Sequence, residues 1–145
     1  RIAQNLFICP STIAQHAALA CFEPDSIAEY ERRRAEFKAR RDYFIPALKD
    51  LGFSIPVMPD GAFYAWADCT ELAKRWGVNG SWDFAFELMQ RAHIAATPGR
   101  DFGRAEVENF IRFSTANSMV QLQEAIARMR KAIGVQESGL ELAHV

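Results

Sequence analysis

Arg112 is the residue whose surroundings in this sequence most strongly suggest chemistry. It lies in the segment FIRFS, residues 110–114, among apolar neighbours on a predicted internal strand. Removing a guanidinium from water is costly unless an anion compensates its charge. Two interpretations stay open. Either Arg112 faces solvent or pairs with a structural carboxylate, or its planar fork of donors binds the carboxylate of a ligand.

The other residues that could do chemistry have ordinary structural explanations. His16 lies among alanines on a predicted helix, His93 begins a predicted strand and His144 lies in the C-terminal tail. Asp60 suits a turn and Asp68 a strand end. The sequence has no histidine and carboxylate spacing for a metal, no G-x-S-x-G motif and no phosphate-binding glycine loop before a helix. We therefore predict no catalytic residue and no metal site in this chain.

The composition is typical of one ordinary globular domain. Of the 145 residues, 50% are hydrophobic and 24% are charged. The net charge of -1 argues against nucleic acid or an anionic membrane surface as a partner. The apolar runs are too short to span a membrane, and Cys9, Cys21 and Cys69 lack metal-binding spacing. We expect a cytoplasmic protein with reduced, buried thiols.

Helical patterns occupy the first fifty residues. The run STIAQHAALAC, residues 11–21, predicts a helix after Pro10. Ser26 and Glu29 match a capping box, which predicts the start of a long helix with one apolar seam. Gly52 lies where this helix should end.

Shorter elements follow Gly52. Alternation at residues 53–57 and 62–66, on either side of the turn MPDG, predicts a β-hairpin. The later predicted elements are a helix at 70–76, a helix from a cap at Ser81 to about Arg91, strands at 93–97 and 110–115, and a helix from a capping box of Ser118 and Gln121 to Gly134.

These patterns together predict a fold class. We expect an α/β domain of the two-layer α+β kind, in which helices pack on a small mixed or antiparallel sheet. A long helical arm precedes the sheet, and residues 136–145 lack periodicity and are expected to form a frayed tail.

Several motifs, in this order, resemble the C-terminal small domain of class I/II, fold-type I, pyridoxal-phosphate-dependent aminotransferases. The motifs are PDGAFY at 59–64, TPG at 97–99 followed by FG at 102–103, IRFS at 111–114, and the terminal amphipathic helix. Residues 3–18 also resemble the family segment that leads from the large domain into the interdomain helix. The resemblance covers roughly residues 1–134.

The resemblance implies a division of the chain and a set of partners. Residues 1–25 would end the large domain and start the interdomain helix, residues 26–135 would form the small domain, and residues 136–145 the tail. The implied partners are the large domain of the same protein and a second copy in a homodimer. Because the chain opens at Arg1 without a methionine, we expect a fragment of a longer protein.

The activity implied by the resemblance is transfer of an amino group from an L-amino acid to a 2-oxo acid by means of pyridoxal phosphate. In the family, the lysine that holds the cofactor lies upstream of the matched region. The lysines here fall on polar helix faces or helix ends, at Lys38, Lys49, Lys74 and Lys131. We therefore expect the cofactor's lysine to lie outside this chain and the isolated chain to be inactive.

The resemblance also implies three substrate-binding residues. Arg112 matches the small-domain arginine that binds the substrate α-carboxylate. Gly99 matches a loop whose backbone approaches the active site, although a plain turn explains it equally well. Tyr64 would lie near the cleft between domains, with packing in the core as its structural alternative. No cofactor-binding residue is assigned within the chain.

Two alternative functions remain open. A lyase, decarboxylase or synthase of the same fold would use the same α-carboxylate arginine. A free-standing α/β module that binds a carboxylate or another small molecule would use Arg112 without any reaction. The aminotransferase hypothesis predicts that Arg112 lies at a cleft edge and is not paired with a carboxylate of its own chain.

Overall fold

The first residues of the chain form consecutive helices. The structure, a computed structural model, describes residues 1–135 and separates the chain into two units, residues 1–36 and the residues from 37 onward. The predicted tail at 136–145 lies outside the described residues. Three helices begin in the first unit, namely α1 (Ile2–Phe7), α2 (Thr12–Ala20) and α3 (Pro24–Asp50).

Helix α2 has the predicted position, and Ser11 caps its first turn. The side chain of Ser11 accepts a hydrogen bond of 3.3 Å from the backbone N–H of Ala14, which satisfies one of the free donors of the first turn. All side chains of α1 and α2 are exposed. The prediction of a helix over residues 11–21 is thus confirmed.

The start of α3 differs from the prediction, and the capping box at Ser26 is wrong. The helix begins at Pro24, whose fixed φ angle suits the first helical turn. Ser26 therefore lies inside the helix, and its hydroxyl donates to the carbonyl oxygen of Ala20 at 2.7 Å. The Glu29 side chain accepts hydrogen bonds from Arg32 and does not return to a backbone N–H.

The end of α3 belongs to the second unit and is buried there. Phe44 and Leu48 are almost fully covered, and the helix continues through Pro46 to its last residue. The backbone N–H of Phe53 then donates to the carbonyl oxygen of Leu48 at 3.2 Å. Gly52 supplies the positive φ of 101° that this C-terminal motif requires, as predicted.

The predicted hairpin forms only in part. Strand β1 spans Tyr64–Asp68, two residues later than expected. The preceding strand is reduced to one bridge, in which the backbones of Ser54 and Asp68 exchange hydrogen bonds of 3.1 and 2.7 Å. Pro56 has no N–H with which to extend the ladder, and Val57, expected on the buried face, is 76% exposed.

The sheet has three antiparallel strands. Their order is β1-β3-β2, with β2 at Thr97–Pro98 and β3 at Phe110–Ser114. Together with the helices packed on the sheet, this arrangement confirms the predicted two-layer fold class. The remaining helices are α4 (Thr70–Trp76), α5 (Gly80–Ala92), a 3₁₀ turn (Gly99–Phe102) and α6 (Met119–Ile133).

Two element boundaries near α5 correct the predictions. Ser81 does not cap the helix, because α5 begins at Gly80 with Asn79 as its N-cap. Ser81 is buried instead, and its hydroxyl accepts a hydrogen bond of 3.4 Å from the backbone N–H of Gly99. His93 does not start a strand but ends α5 in the left-handed conformation, with a φ of 55°.

Helix α6 agrees with its sequence pattern at both ends. The Ser118 side chain accepts from the Gln121 backbone N–H at 3.3 Å, and the Gln121 side chain accepts from the Ser118 backbone N–H at 3.4 Å. Gly134 terminates the helix with a φ of 77°. The predicted capping box is confirmed because both of its bonds are local and need no tertiary partner.

One face of the sheet packs against the helices. Alternate residues of β1 and β3 point into this core, and residues of α3, α5 and α6 cover them. The principal core residues are Phe44, Leu48, Ala65, Ala67, Phe84, Leu88, Ile111, Phe113, Leu122, Ile126 and Met129. None of the helices between residues 1 and 135 combines the length and apolarity that crossing a bilayer requires.

The three cysteines have different surroundings. Cys69 is buried as expected, whereas Cys9 and Cys21 are exposed in the first unit, which corrects the expectation of three buried thiols. The Cys69 thiol donates to the carbonyl oxygen of Asn109 at 3.1 Å. Burial, and secondarily the charge of Asp68, raises the pKa of this thiol to about 12.

We expect Cys69 to resist alkylation by iodoacetamide in the native protein at pH 8 and to react after unfolding. Only the thiolate reacts, and a pKa of about 12 leaves about one thiol in 10⁴ ionised at that pH. The stability that the neutral thiol contributes is present below its ordinary pKa of 9.0 and is lost as the pH rises through about 12. Peptide mapping with and without denaturant measures the difference, and rapid native modification of Cys69 would contradict it.

Candidate functional site

The site is built on the sheet face that the helices leave uncovered. Arg112 lies at the middle of the central strand β3, opposite Trp66 of β1 and opposite Thr97 of β2. Strand alternation places Ile111 and Phe113 in the core, so Arg112 lies on the other side of the sheet. We call this side the open face and define it by the residues Tyr64, Trp66, Phe110, Arg112 and Ser114.

Two aromatic rings flank the Arg112 guanidinium. Its central carbon Cζ lies 4.1 Å from the ring centroid of Tyr64 and 4.2 Å from that of Phe102. Tyr64 belongs to β1, and Phe102 to the 3₁₀ turn that follows β2. The rings therefore reach Arg112 from opposite neighbours of β3. Cations are attracted to ring faces at these distances.

The hydrogen-bond donors of Arg112 have no acceptor in the described part of the chain. Across residues 1–135, the guanidinium contacts the two rings and forms neither a hydrogen bond nor an ion pair. Pairing with a structural carboxylate is thus not observed. Arg112 is half-buried, although it lies away from the core. A planar set of donors in this setting can bind a carboxylate in a bidentate manner.

Further rings support the two that flank Arg112. The Trp66 ring meets Phe102 edge to face at 5.6 Å and stacks on Phe110 at 5.5 Å with an interplanar angle of 8°. Phe63 packs against Tyr64 with ring centroids 4.4 Å apart. Contacts of this kind stabilise aromatic pairs beyond simple burial. The contact of Phe102 with Arg112 could not be predicted from the motif FG at 102–103, because a loop phenylalanine carries no local signal of its partner.

Gly99 makes the close approach that orders the 3₁₀ turn. It is buried, and a Cβ atom built there would overlap the carbonyl oxygen of Val107 and lie 2.8 Å from that of Phe110. Both of these atoms are backbone, so neither can move without displacing the chain that leads into β3. Gly99 is thus required by packing within its own chain, and this packing positions the turn that carries Phe102.

The four lysines lie on helices, and none of them is among the five residues that define the open face. Each is exposed on a helix, and two of them form ion pairs, Lys38 with Asp42 and Lys74 with Glu71. Lys49 belongs to the last turn of α3 and Lys131 to the last turn of α6. Among its five defining residues, the open face therefore has a candidate anion-binding group in Arg112 and no lysine.

Among the acidic residues and histidines, Asp68 and His93 have structural roles. A side-chain oxygen of Asp68 accepts hydrogen bonds from the backbone N–H and the hydroxyl of Thr70. The backbone carbonyl of Asp60 accepts from Arg41 at 3.1 Å. His93 terminates α5, the histidine of α2 is exposed, and the histidine at position 144 lies outside the described residues.

Comparison with known proteins identifies the family. The profile of the family described as "Aminotransferase class I and II" matches residues 1–129. The chain therefore belongs to this family. The match covers both the helical segment at the start and the sheet that carries Arg112.

Individual relatives agree with this assignment. The chain is 34% identical over 131 residues to the (5-formylfuran-3-yl)methyl phosphate transaminase of Methanocaldococcus jannaschii. This alignment covers 90% of this chain and 33% of that protein. It is 30% identical over 125 residues to the valine-pyruvate aminotransferase of Mycobacterium tuberculosis, and this alignment covers 86% of this chain and 31% of that protein. The chain thus spans about a third of the length of these curated relatives.

Solved structures show the same fold. The crystal structure of an aminotransferase from Mycobacterium tuberculosis aligns with a TM-score of 0.79 at 29% identity, covering 93% of this chain and 34% of that one. The aromatic aminotransferase of Pyrococcus horikoshii OT3 aligns with a TM-score of 0.77 at 30% identity, covering 92% and 34%.

We expect Gly99→Ala to lower the free energy of unfolding by about 1 to 3 kcal/mol, because the added methyl group meets two backbone carbonyls that cannot move independently. Denaturant unfolding of the protein measures the effect. Gly61→Ala is the matched control, since a Cβ at Gly61 meets nothing within 4 Å, and its change should stay within about 0.5 kcal/mol. Equal effects of the two substitutions would disprove the packing argument.

Proposed function

We propose that this chain forms the C-terminal small-domain region of a pyridoxal-phosphate-dependent aminotransferase that moves an amino group from an L-amino acid to a 2-oxo acid. In this proposal Arg112 binds the α-carboxylate of the substrate. The observation that carries it is the half-buried guanidinium on the open face, flanked by two rings and without an acceptor among residues 1–135. Membership of the aminotransferase family supports the reaction class.

Arg112 would contribute binding and orientation. Its N–H groups lie in the guanidinium plane and match the two oxygens of a carboxylate. Amino acids and 2-oxo acids share this carboxylate, so one contact serves both substrates. Holding it at a fixed place restricts the position of the Cα–H bond, which lowers the entropic cost of reaching the reactive geometry.

The open face fits a substrate carboxylate better than it fits the cofactor. Pyridoxal phosphate, when bound, supplies the electron sink for chemistry at Cα. It requires a lysine, and the four lysines described above are exposed on helices. None of these lysines is among the residues of the open face, and we therefore propose that the cofactor's lysine and its other ligands lie outside this chain, and that the isolated chain is inactive.

The proposed setting of the chain is a cytoplasmic homodimer in which it adjoins the large domain of the same protein. Residues 1–25 would belong to the end of the large domain and the start of the interdomain helix, and residues 26–135 to the small domain. Large apolar side chains that are exposed in the first unit support burial in a larger assembly. They are Ile2, Leu6, Phe7, Ile8 and Ile13.

Arg112→Lys in the full-length protein should lower kcat/KM for both the amino acid and the oxo acid by about 30- to 1,000-fold. Lysine keeps the charge but loses the bidentate fork, and misplacement of the substrate costs about 2 to 4 kcal/mol of transition-state stabilisation. Half-reaction kinetics followed by cofactor absorbance measure each substrate separately.

The control for this substitution is Arg128→Lys. Arg128 pairs with Glu124 on the exposed side of α6, so its replacement should leave both half-reactions unchanged. Unchanged half-reactions in Arg112→Lys would refute the carboxylate role. Consumption of more than one equivalent of the amino acid per bound cofactor without an oxo-acid acceptor would indicate a lyase in place of an aminotransferase.

Borohydride reduction of the holoprotein should fix pyridoxal phosphate on a lysine outside residues 1–145. The lysines of this chain are exposed on helices, and none of them is among the residues of the open face. Tryptic mapping of the reduced protein locates the labelled peptide. Stoichiometric labelling of Lys38, Lys49, Lys74 or Lys131 would show that the proposed division of the active site is wrong.

A further inference from the structure

We propose that Tyr64 and Phe102 are positioning residues whose rings hold the Arg112 guanidinium in place before the substrate carboxylate arrives. The inference rests on the proposed function, since it concerns the same arginine. The role of the rings differs from that of Arg112, because they restrict the guanidinium and need not contact the substrate.

The geometry of a guanidinium explains why rings suit this task. All of its N–H donors point outward in one plane, and its two faces carry none. The Cζ atom of Arg112 lies over the ring faces of Tyr64 and Phe102, 4.1 and 4.2 Å from their centroids, and neither contact is a hydrogen bond to an oxygen or nitrogen acceptor. The edge of the guanidinium thus remains available to a planar carboxylate that lies in the same plane.

Rings that hold an arginine must themselves be held, and both of these are. Tyr64 is part of β1, where it pairs in register with Ser114 of the central strand and packs against Phe63. Phe63 in turn contacts Phe37 of α3 with ring centroids 5.8 Å apart.

Phe102 is 45% exposed, yet its place is determined from two sides. The edge contact with Trp66 supports the ring, and the close packing at Gly99 fixes the turn that carries it. An arginine side chain has many rotamers in water, and losing them on binding weakens affinity. Rings that restrict Arg112 in advance reduce this cost for every substrate that carries the carboxylate.

The contact with Tyr64 involves the ring and not the hydroxyl. Among residues 1–135 the Tyr64 hydroxyl has no hydrogen-bond partner, whereas its ring faces the guanidinium. This geometry separates the positioning role from direct hydrogen bonding of the hydroxyl to substrate. The two roles predict different results for Tyr64→Phe and Tyr64→Leu.

The test is steady-state and half-reaction kinetics of Phe102→Leu and Tyr64→Leu in the full-length holoenzyme. Each variant should raise KM for both the amino acid and the oxo acid by about 5- to 30-fold, with a smaller change in kcat, because the carboxylate contact exists in ground and transition states alike. Phe102→Tyr and Tyr64→Phe keep a ring and should recover most of this loss. Calorimetric titration with propionate, which has a carboxylate but no reacting group, should show the same weakening.

Phe86→Leu is the matched control for Phe102→Leu. Phe86 is 48% exposed, packs edge to face on Trp82 and has no contact with Arg112, so its KM values should stay within about twofold of wild type. The positioning role is overturned if Phe102→Leu behaves like this control while Arg112→Lys is impaired. It is also overturned if Tyr64→Phe is as impaired as Tyr64→Leu, or if Phe102→Leu loses cofactor and stability without a rise in KM. An unimpaired Arg112→Lys instead refutes the proposed function itself.

Discussion

The two-residue alternation of the central strand is the constraint on which the rest of the structure depends. Ile111 and Phe113 must be buried, and the helices α3, α5 and α6 supply the apolar surface that covers them. Since successive side chains of a strand point to opposite faces, Arg112 between them has to lie on the open face. Shifting the register of β3 by one residue would turn Ile111 and Phe113 to the open face and bury the guanidinium of Arg112 without a partner.

A second constraint acts through the backbone beside this strand. The chain at Gly99 approaches the carbonyls of Val107 and Phe110 so closely that no side chain fits. The approach allows the 3₁₀ turn to follow β2 directly, and the turn brings Phe102 to Arg112. Packing at Gly99, the first residue of the turn, is therefore linked to the geometry of the candidate site.

The features predicted correctly from the sequence are those with local causes. The ends of α6 follow from a capping box at Ser118 and a left-handed glycine at Gly134, and the stop of α3 follows from Gly52. The incorrect predictions arose where a nearby proline or a tertiary contact outweighed the preference of the residue itself. Ser26 and Ser81 have the right residue type for caps, but Pro24 begins one helix earlier and tertiary contacts with Gly99 bury the other serine. Likewise, Pro56 limits the hairpin to one bridge.

The sequence by itself determined the family, the fold class and the importance of Arg112. Helix caps and strand alternation depend on residues close together in the chain, and the order of the motifs follows directly from the sequence. Only the tertiary structure decided what surrounds that arginine. The rings of Tyr64 and Phe102 are separated by 38 positions along the chain and meet at Arg112 because β1 and β2 pair with opposite edges of β3. Contacts between distant residues depend on how strands pair and helices pack, and no local pattern encodes them.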